Sequence, residues 1–382
     1  MTGGPQAPDG RRPHVGLACN EEVRRGYVDE ADLARLGAFA DFSYRPFSVA
    51  SGLDPLTVAS GLESPVRRDP GAEADLARFA ARLDVLVVCH GAPFVGPDVL
   101  ARAPRLTLLG ELEDDRFGHR LDVAAAQEKG VRVVDTSHGS SWAAAEWALG
   151  LALVGLRNAG ASFRRIVAHQ PAFVPVGQRS GPGYHGAELS HKRVGLIGFG
   201  YLGRRLVELL RPFLVDVVVF DPFVPRELAE PYRVEFGPLS AALACDVVFT
   251  LVPHTPRTEG MLGRDELAQL RPGSVFVNVS RGKVVDGEAL FERLQRGDVT
   301  ACLDVFDPEP MPLGSPVADL ANVFLSPHIA GVTEESRRRF FSLMVDEILR
   351  HFAGLEPLSE LTSGIVHLHT APAYTGERLD RS

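Results

Sequence analysis

The strongest constraint on this chain is a set of three glycines placed between two different hydrophobic periodicities. Val194-Gly195-Leu196-Ile197 reads as a buried strand and Leu206-Val207-Glu208-Leu209-Leu210 as a helix, with Gly198-Phe199-Gly200-Tyr201-Leu202-Gly203 joining them. Gly198 permits the tight turn out of the strand, Gly200 lets backbone approach a ligand, and Gly203 allows helix to pack closely on strand. The N–H groups and positive dipole end of the helix then form a seat for a pyrophosphate. A second apolar strand, Val215 to Phe220, ends in Asp221. That acid lies about 20 residues past the motif, where a carboxylate accepts from an adenosine ribose and repels a 2′-phosphate. The reading is a dinucleotide site with NAD favoured over NADP.

Bulk properties narrow the class. A chain of 382 residues is long enough for two domains with separate cores. Its 49 acidic against 40 basic residues leave a net charge of −9, which argues against nucleic acid as a partner. Cys19, Cys89, Cys245 and Cys302 are far apart, form no CxxC or Cys/His ligand cluster, and read as reduced, buried thiols. No metal is expected. Met1 to Arg12 is polar and rich in Gly and Pro, without the apolar core of a signal peptide, so a cytoplasmic protein is expected. The apolar stretch Trp142 to Leu156 is short for a bilayer span and carries Glu146, so it reads as a buried helix with no membrane partner.

Along the chain, residues 1 to 12 are expected to be disordered. From His14 to about residue 138, short apolar runs such as Val85 to Cys89 and Val131 to Val134 alternate with helical segments such as Ala72 to Leu83 and Val123 to Glu128. This is an open parallel α/β domain in its own right. A helix from Ser141 to about Arg157 follows, and then a Gly/Pro/His-rich stretch from 160 to 191 with little periodicity. Alternation resumes at Arg193 and continues through strands near Val247, Val275, Ala301 and Val323. A last long helix spans Glu334 to His351 with Thr333 as N-cap, and the tail beyond Gly354 reads as irregular. The fold class is therefore α/β with two doubly wound, Rossmann-like parallel-sheet domains. The expected nucleotide domain, 139–329, is inserted into a discontinuous, flavodoxin-like substrate domain of 1–138 and 330–382.

Three candidates for chemistry follow late strands of the nucleotide domain, where such sheets place their ligands. Arg281 follows Val277-Asn278-Val279-Ser280, Glu309 stands between Pro308 and Pro310, and His328 lies in Ser326-Pro327-His328-Ile329. An arginine offers a carboxylate two parallel donors, and a histidine moves a proton near neutral pH. An acid on the far ring nitrogen fixes the tautomer and favours the imidazolium. Together they suit reduction of a 2-keto acid: Arg281 holds the carboxylate, His328 donates the proton and Glu309 orients it.

With these motifs in order the chain resembles the D-isomer-specific 2-hydroxyacid dehydrogenase family from about Asp84 to Gly331. The likeness includes Ala103-Pro104-Arg105-Leu106, Leu121-Asp122-Val123-Ala124-Ala125-Ala126, Glu146, the glycine motif with Asp221, and Thr255-Pro256-Arg257-Thr258. The resemblance implies NAD as cofactor and a D-2-hydroxy acid and its 2-keto acid as substrates. It implies Arg281, Glu309 and His328 as the catalytic set and Asp304 beside the nicotinamide. Further cofactor contacts are implied from Gly198, Gly200, Tyr201, Leu202, Gly203, Val252, Pro253, Val279, Ser280 and Gly331. It also implies hinges near residues 139 and 329 and a homodimer built on the nucleotide domain. The same family contains a corepressor branch that binds NAD(H) without needing catalysis, and oxidoreductases for other small anions such as phosphite. Both are the alternatives to a hydroxyacid dehydrogenase.

The departure lies in the first domain. Relatives carry a loop of the form GVGxDNID whose bare N–H groups bind the substrate carboxylate. Here Gly110-Glu111-Leu112-Glu113-Asp114-Asp115-Arg116-Phe117-Gly118-His119-Arg120-Leu121-Asp122 stands instead, with a short insertion. Two readings follow. Either Arg116, His119 or Arg120 contacts a second anionic group of the substrate, or the loop is solvated and its charges pair with Glu111, Glu113, Asp114 and Asp115. His90, after another strand, is a further candidate for the pocket wall.

Overall fold

A parallel sheet covered on both faces buries every side chain of its central strands, so these appear as continuous apolar runs. Val85–Val88 and Val275–Asn278 are buried at every position. The structure is a computed structural model and describes residue 7 and residues 10–49, 67–171 and 186–371. The described residues form two compact units. One joins the chain up to Ser140 with Thr333–Ala371, and the other is Ser141–Val332.

The first unit holds β1 (His14–Cys19), β2 (Asp41–Pro46), β3 (Val85–Val88), β4 (Leu108–Glu111) and β5 (Arg132–Asp135), all parallel, in the order β2-β1-β3-β4-β5. This is the flavodoxin-like order, whose direction of winding reverses between β1 and β3. One face packs under the helix Glu334–Phe352 through Phe340, Phe341, Met344, Val345 and Ile348. That helix comes so near β4 that a Cβ on Gly110 would lie 2.5 Å from Met344 Sδ. Its start is closed by the expected cap, with Thr333 Oγ1 accepting from Ser336 N at 3.0 Å.

The second unit holds β6 (Arg193–Ile197), β7 (Asp216–Phe220), β8 (Glu235–Phe236), β9 (Val247–Thr250), β10 (Val275–Asn278), β11 (Thr300–Leu303) and β12 (Val323–Leu325). They form a seven-stranded parallel sheet, β12-β11-β10-β9-β6-β7-β8. Winding reverses at β6, the strand that leads into the glycines. The apolar helix Ser141–Leu156 lies on β10 and β11: a Cβ on Gly155 would be 2.5 Å from Val275 Cγ1 and 3.0 Å from Cys302 Sγ. Among the described residues no helix is long and apolar enough to cross a membrane.

Three expectations need correction, and one strand was not expected. Arg11 and Arg12, placed in a disordered start, are ion-paired to Asp84 and Asp41. The segment expected to be irregular from 160 opens with the helix Ala159–Val167. The tail beyond Gly354 carries the helix Ser363–Thr370, capped where Thr362 Oγ1 accepts from Ile365 N. Asp41–Pro46 forms a strand that the apolar pattern hides, since it is an edge strand with no fully buried residue. Residues 172–185 and 372–382, with most of the first nine, lie outside the described residues.

Candidate active site

β6 delivers the chain into a turn where Gly198 takes φ +103°, a conformation that side chains oppose. A Cβ on Gly203 would lie 2.7 Å from Gly198 O, so the helix Tyr201–Leu210 packs against the turn with no room for a methyl group. A Cβ on Gly200 would meet nothing within 4 Å, so bare backbone faces open space there. Gly200 is the N-cap, and no side chain caps the helix. That combination fits a pyrophosphate at the dipole's positive end. Asp221, just past β7, accepts from Phe199 N at 2.8 Å and Phe223 N at 2.9 Å. It clips the glycine turn to the end of β7.

The loops after β9 to β12 carry the other candidates along one edge of the same sheet. Val252 and Pro253 follow β9, and Val279, Ser280 and Arg281 follow β10. Asp304 follows β11, and His328 and Gly331 follow β12. Asn278 shapes the β10 loop: its Oδ1 accepts from Ser280 N and Oγ at 3.0 and 2.9 Å, and its Nδ2 donates to Arg281 O at 3.2 Å. Gly282 lets this loop meet the next one. A Cβ there would be 1.8 Å from Phe306 O.

His328 is half-turned into the protein with φ +50°, and its N–H donates to Asp304 O at 2.8 Å. Its Nδ1 is 3.1 Å from Glu309 Oε1, with side-chain exposures of 22% for the histidine and 5% for the acid. A carboxylate can only accept, so Nδ1 donates and Nε2 is left as the nitrogen that exchanges a proton. Asp304 is fully buried and holds the same loop by its side chain, accepting from Ser326 Oγ, from Ile329 N at 3.1 Å and from Ala330 N at 2.8 Å. Trp147 Nε1 donates to Ser326 Oγ at 3.1 Å and extends the support.

At the strand ends of the first unit the remaining candidates enter a different network. Arg120 is 1% exposed. Its Nη1 donates to Glu113 O at 3.0 Å and to Glu111 Oε1 at 3.3 Å, and its Nη2 to His90 Nδ1 at 2.8 Å. Arg116 Nη2 donates to Glu360 O at 2.6 Å, and His119 Nδ1 lies 3.0 Å from Asp114 Oδ1. The second reading holds in its pairing, since Arg120 and His119 meet Glu111 and Asp114, and fails in its solvation, since Arg120 and both acids are buried. Burial pushes the Glu111 carboxyl well above the usual range against the pull of Arg120, and raises Asp135 to about 6.

The loop's backbone is engaged as well. Asp114 N and Asp115 N both donate to Ser137 Oγ, at 2.7 and 2.9 Å, Arg116 N to Asp135 Oδ2 at 3.1 Å, and His119 N to Asp114 Oδ2 at 2.7 Å. Leu112, Glu113 and Phe117 donate to Val88 O, Glu111 Oε1 and Asp114 O. Cys89, His90 and Glu113 bring potential metal-ligand atoms within 4.8 Å of one another, a cluster that sequence spacing conceals. Arg120 decides its chemistry. A guanidinium only donates, so His90 Nδ1 accepts and Nε2 carries the hydrogen that points at Glu113 Oε2, 3.2 Å away. That tautomer offers a metal no lone pair at Nε2.

Comparison with known proteins agrees with this geometry. Residues 149–330 match the family described as D-isomer specific 2-hydroxyacid dehydrogenase, NAD binding domain. The hydroxypyruvate reductase of Thermotoga maritima is 31% identical over 283 residues, covering 72% of this chain and 87% of that protein. The chain belongs to the D-isomer-specific 2-hydroxyacid dehydrogenase family. Its cofactor is NAD, as the matched NAD-binding domain indicates. The D-3-phosphoglycerate dehydrogenase of Methanocaldococcus jannaschii is 33% identical over 295 residues, covering 76% of this chain and 52% of that one. The chain thus spans about half the length of the phosphoglycerate dehydrogenases it matches. A phosphoglycerate oxidoreductase from Rhizobium etli shares the fold with a TM-score of 0.72 at 23% identity, over 91% of this chain and 98% of that one.

Set against this family, the structure joins His328 to Glu309 and aligns Arg281, Asp304 and His328 on successive strand ends. It takes Arg116, His119 and Arg120 into internal contacts. Sequence reasoning passed over Trp147, Ser326 and Asn278, which shape the loops of the second unit, and Tyr27, whose hydroxyl donates to Glu113. Only Asn278 carried a local signal, as a polar residue ending an apolar strand just before the arginine.

Proposed function

We propose that the protein is an NAD-dependent oxidoreductase that interconverts a 2-keto acid and a D-2-hydroxy acid. The observation that carries this is the His328–Glu309 pair, which leaves Nε2 of a half-buried histidine as the single exchangeable ring position. NAD, held by the glycine turn, Asp221 and the loops after β9 to β12, supplies or accepts the hydride when bound. His328 Nε2 gives its proton to the keto oxygen in reduction and takes it back in oxidation. Glu309 keeps the ring in the tautomer that both directions need and balances the imidazolium charge. Arg281 binds the substrate carboxylate through its planar donors and withdraws charge from the adjoining carbonyl. Asp304 holds the His328 loop to β11.

In this reading the second unit is the NAD-binding domain and the first is the substrate domain. The exposed apolar residues Phe163, Ile166 and Val167 on one helix, at 65%, 60% and 60% exposure, support a homodimer formed through the second unit. The four buried free thiols support a reducing, cytoplasmic setting.

The test is NADH oxidation with glyoxylate, pyruvate and hydroxypyruvate, in the native protein and in His328→Ala. Turnover should fall in the variant by about 10²- to 10⁴-fold, the range of a lost general acid. Turnover that survives the substitution removes His328 from the mechanism.

A further inference from the structure

The helix that opens at the glycine turn gathers positive charge at its start and no negative charge. Tyr201–Leu210 has Gly200 as a bare N-cap and carries no acid in its first turn. Acids are what such an end ordinarily collects, because its unpaired N–H groups amount to roughly half a positive charge. Here an arginine is brought to it instead. Long side chains on a helix lean toward its N-terminus, and Arg204, which begins the second turn, follows that lean. Its Nε donates to Gly200 O at 3.2 Å, and its guanidinium carbon stands 4.9 Å from the centre of the Tyr201 ring.

Local pairing would have placed the side chain elsewhere. Glu208 lies one turn on from Arg204, the spacing at which opposite charges meet on a helix. Its carboxylate is used by the neighbour, accepting from Arg205 Nη1 at 2.8 Å. The terminal nitrogens of Arg204 make no hydrogen bond or ion pair among the described residues. A cation beside the positive end of a helix is unfavourable, and the face of Tyr201 and the carbonyl of Gly200 offset this enough to hold it there. Next to it, a Cβ on Gly200 would meet nothing within 4 Å, so the guanidinium borders open space.

We infer that Arg204 is a cofactor-binding residue: its guanidinium binds the pyrophosphate of NAD together with the amides at the start of the helix, and Tyr201 positions it. This rests on the NAD site of the dehydrogenase reading above and concerns the second unit alone. A pyrophosphate is doubly charged, and the helix end matches only a fraction of that charge. A planar fork of donors answers the remainder. Because the same cation is unfavourable in the free protein and favourable against the anion, it raises cofactor affinity from both sides.

The experiment measures the Kd of NADH by its fluorescence, and the melting temperature with and without NADH, for the full chain and for Arg204→Gln, Arg204→Lys and Arg205→Gln. The last removes the same charge from the neighbouring, paired position. Arg204→Gln should raise Kd by on the order of tenfold, the loss of a charged hydrogen bond, and weaken its dependence on salt. The melting temperature of the free variant should hold, while the rise produced by NADH shrinks. Arg204→Lys should recover part of the affinity, and Arg205→Gln should leave Kd unchanged. A Kd unmoved in Arg204→Gln, or raised equally in Arg205→Gln, overturns the assignment and leaves the dehydrogenase reading standing. A fall in the melting temperature of free Arg204→Gln overturns it too, since the arginine would then serve the fold. Failure of the native protein to bind NADH overturns both.

Discussion

The two sheets end in loops of opposite character. After β10 to β12, side chains are used to hold backbone so that a few groups stay directed outward: Asn278 shapes the loop of Arg281, and Asp304 grips the loop of His328. After β3 to β5, backbone amides are absorbed by Ser137, Asp135 and Asp114, and what reaches the surface is a carboxylate. Both follow the same rule of parallel sheets, that loops beyond the carboxyl ends carry the site. The difference teaches that strand position decides where a ligand is met, while the fate of the loop amides decides whether it meets donors or acceptors.

The sharpest way to break the comparison is to add one methyl group to each side. Gly282→Ala drives a Cβ to 1.8 Å from a backbone carbonyl, between the loops of Arg281 and Glu309. Since neither backbone yields, stability should fall by about 3 kcal/mol or more, with kcat/KM down in parallel. In Gly118→Ala in the first unit the added Cβ meets the Val123 and Val366 side chains at 3.3 and 3.4 Å and Leu121 O at 3.5 Å, with φ +70°. Its cost should be about 1 to 2 kcal/mol, the strain of a left-handed residue. Denaturant unfolding of both variants measures the pair, and equal losses would remove the claim that the second unit's loops are the more tightly interlocked.

A smaller effect is expected from Asp304→Asn. The amide that replaces one oxygen cannot accept from the Ile329 and Ala330 amides as the carboxylate does, which should cost about 1 to 3 kcal/mol. If Asp304 acts by placing His328, kcat should fall more than the melting temperature predicts, while KM for the keto acid moves little. An activity loss that merely tracks unfolding would assign Asp304 to stability alone.

The smallest effect belongs to the first unit and depends on pH. Burial holds His369 down at about 4, with Arg116 adding to the shift, whereas an unfolded histidine titrates at 6.5. The unfolded chain therefore takes up a proton that the folded chain refuses, and the contribution is fully present above pH 6.5 and lost as pH falls toward 4. The helix Ser363–Thr370, which seats His369 against Phe117 at 5.2 Å between ring centroids, should loosen first. Amide exchange in that helix should quicken between pH 7 and 5 in the native chain and change less in His369→Phe. Equal acceleration in both would show that another group carries the pH dependence.

Most of the second unit was legible because its determinants are local. Strand, glycines, helix and acid lie within one short stretch, and Arg281, Glu309 and His328 each come after a short apolar strand. The first unit was legible in its alternation and illegible at its rim. Arg120 reads as a surface residue until β3 and β4 are side by side and bring His90 and Glu111 to it. The acceptors for Asp114, Asp115 and Arg116 are Ser137, just past β5, and Asp135, its last residue, a partner choice that no pattern within the loop encodes. The helix Ser363–Thr370 escaped notice because Gly364 and the histidines dilute its apolar stripe, and it gains its place by docking beside buried Leu361.

The closure of the 112–122 loop onto Ser137, Asp135 and Glu360 bears on how this loop can be exchanged. Replacing the loop alone with a relative's glycine-rich version would strand a buried hydroxyl and a buried carboxylate that now accept its amides, and a carbonyl that now faces Arg116. The smallest portable module is therefore discontinuous in sequence: the loop, the residues after β5 and the strand-like stretch around Glu360 must travel together. Recombination between relatives at the helix Val123–Glu128 would cut through that module, whereas exchange of the entire first unit would leave it whole.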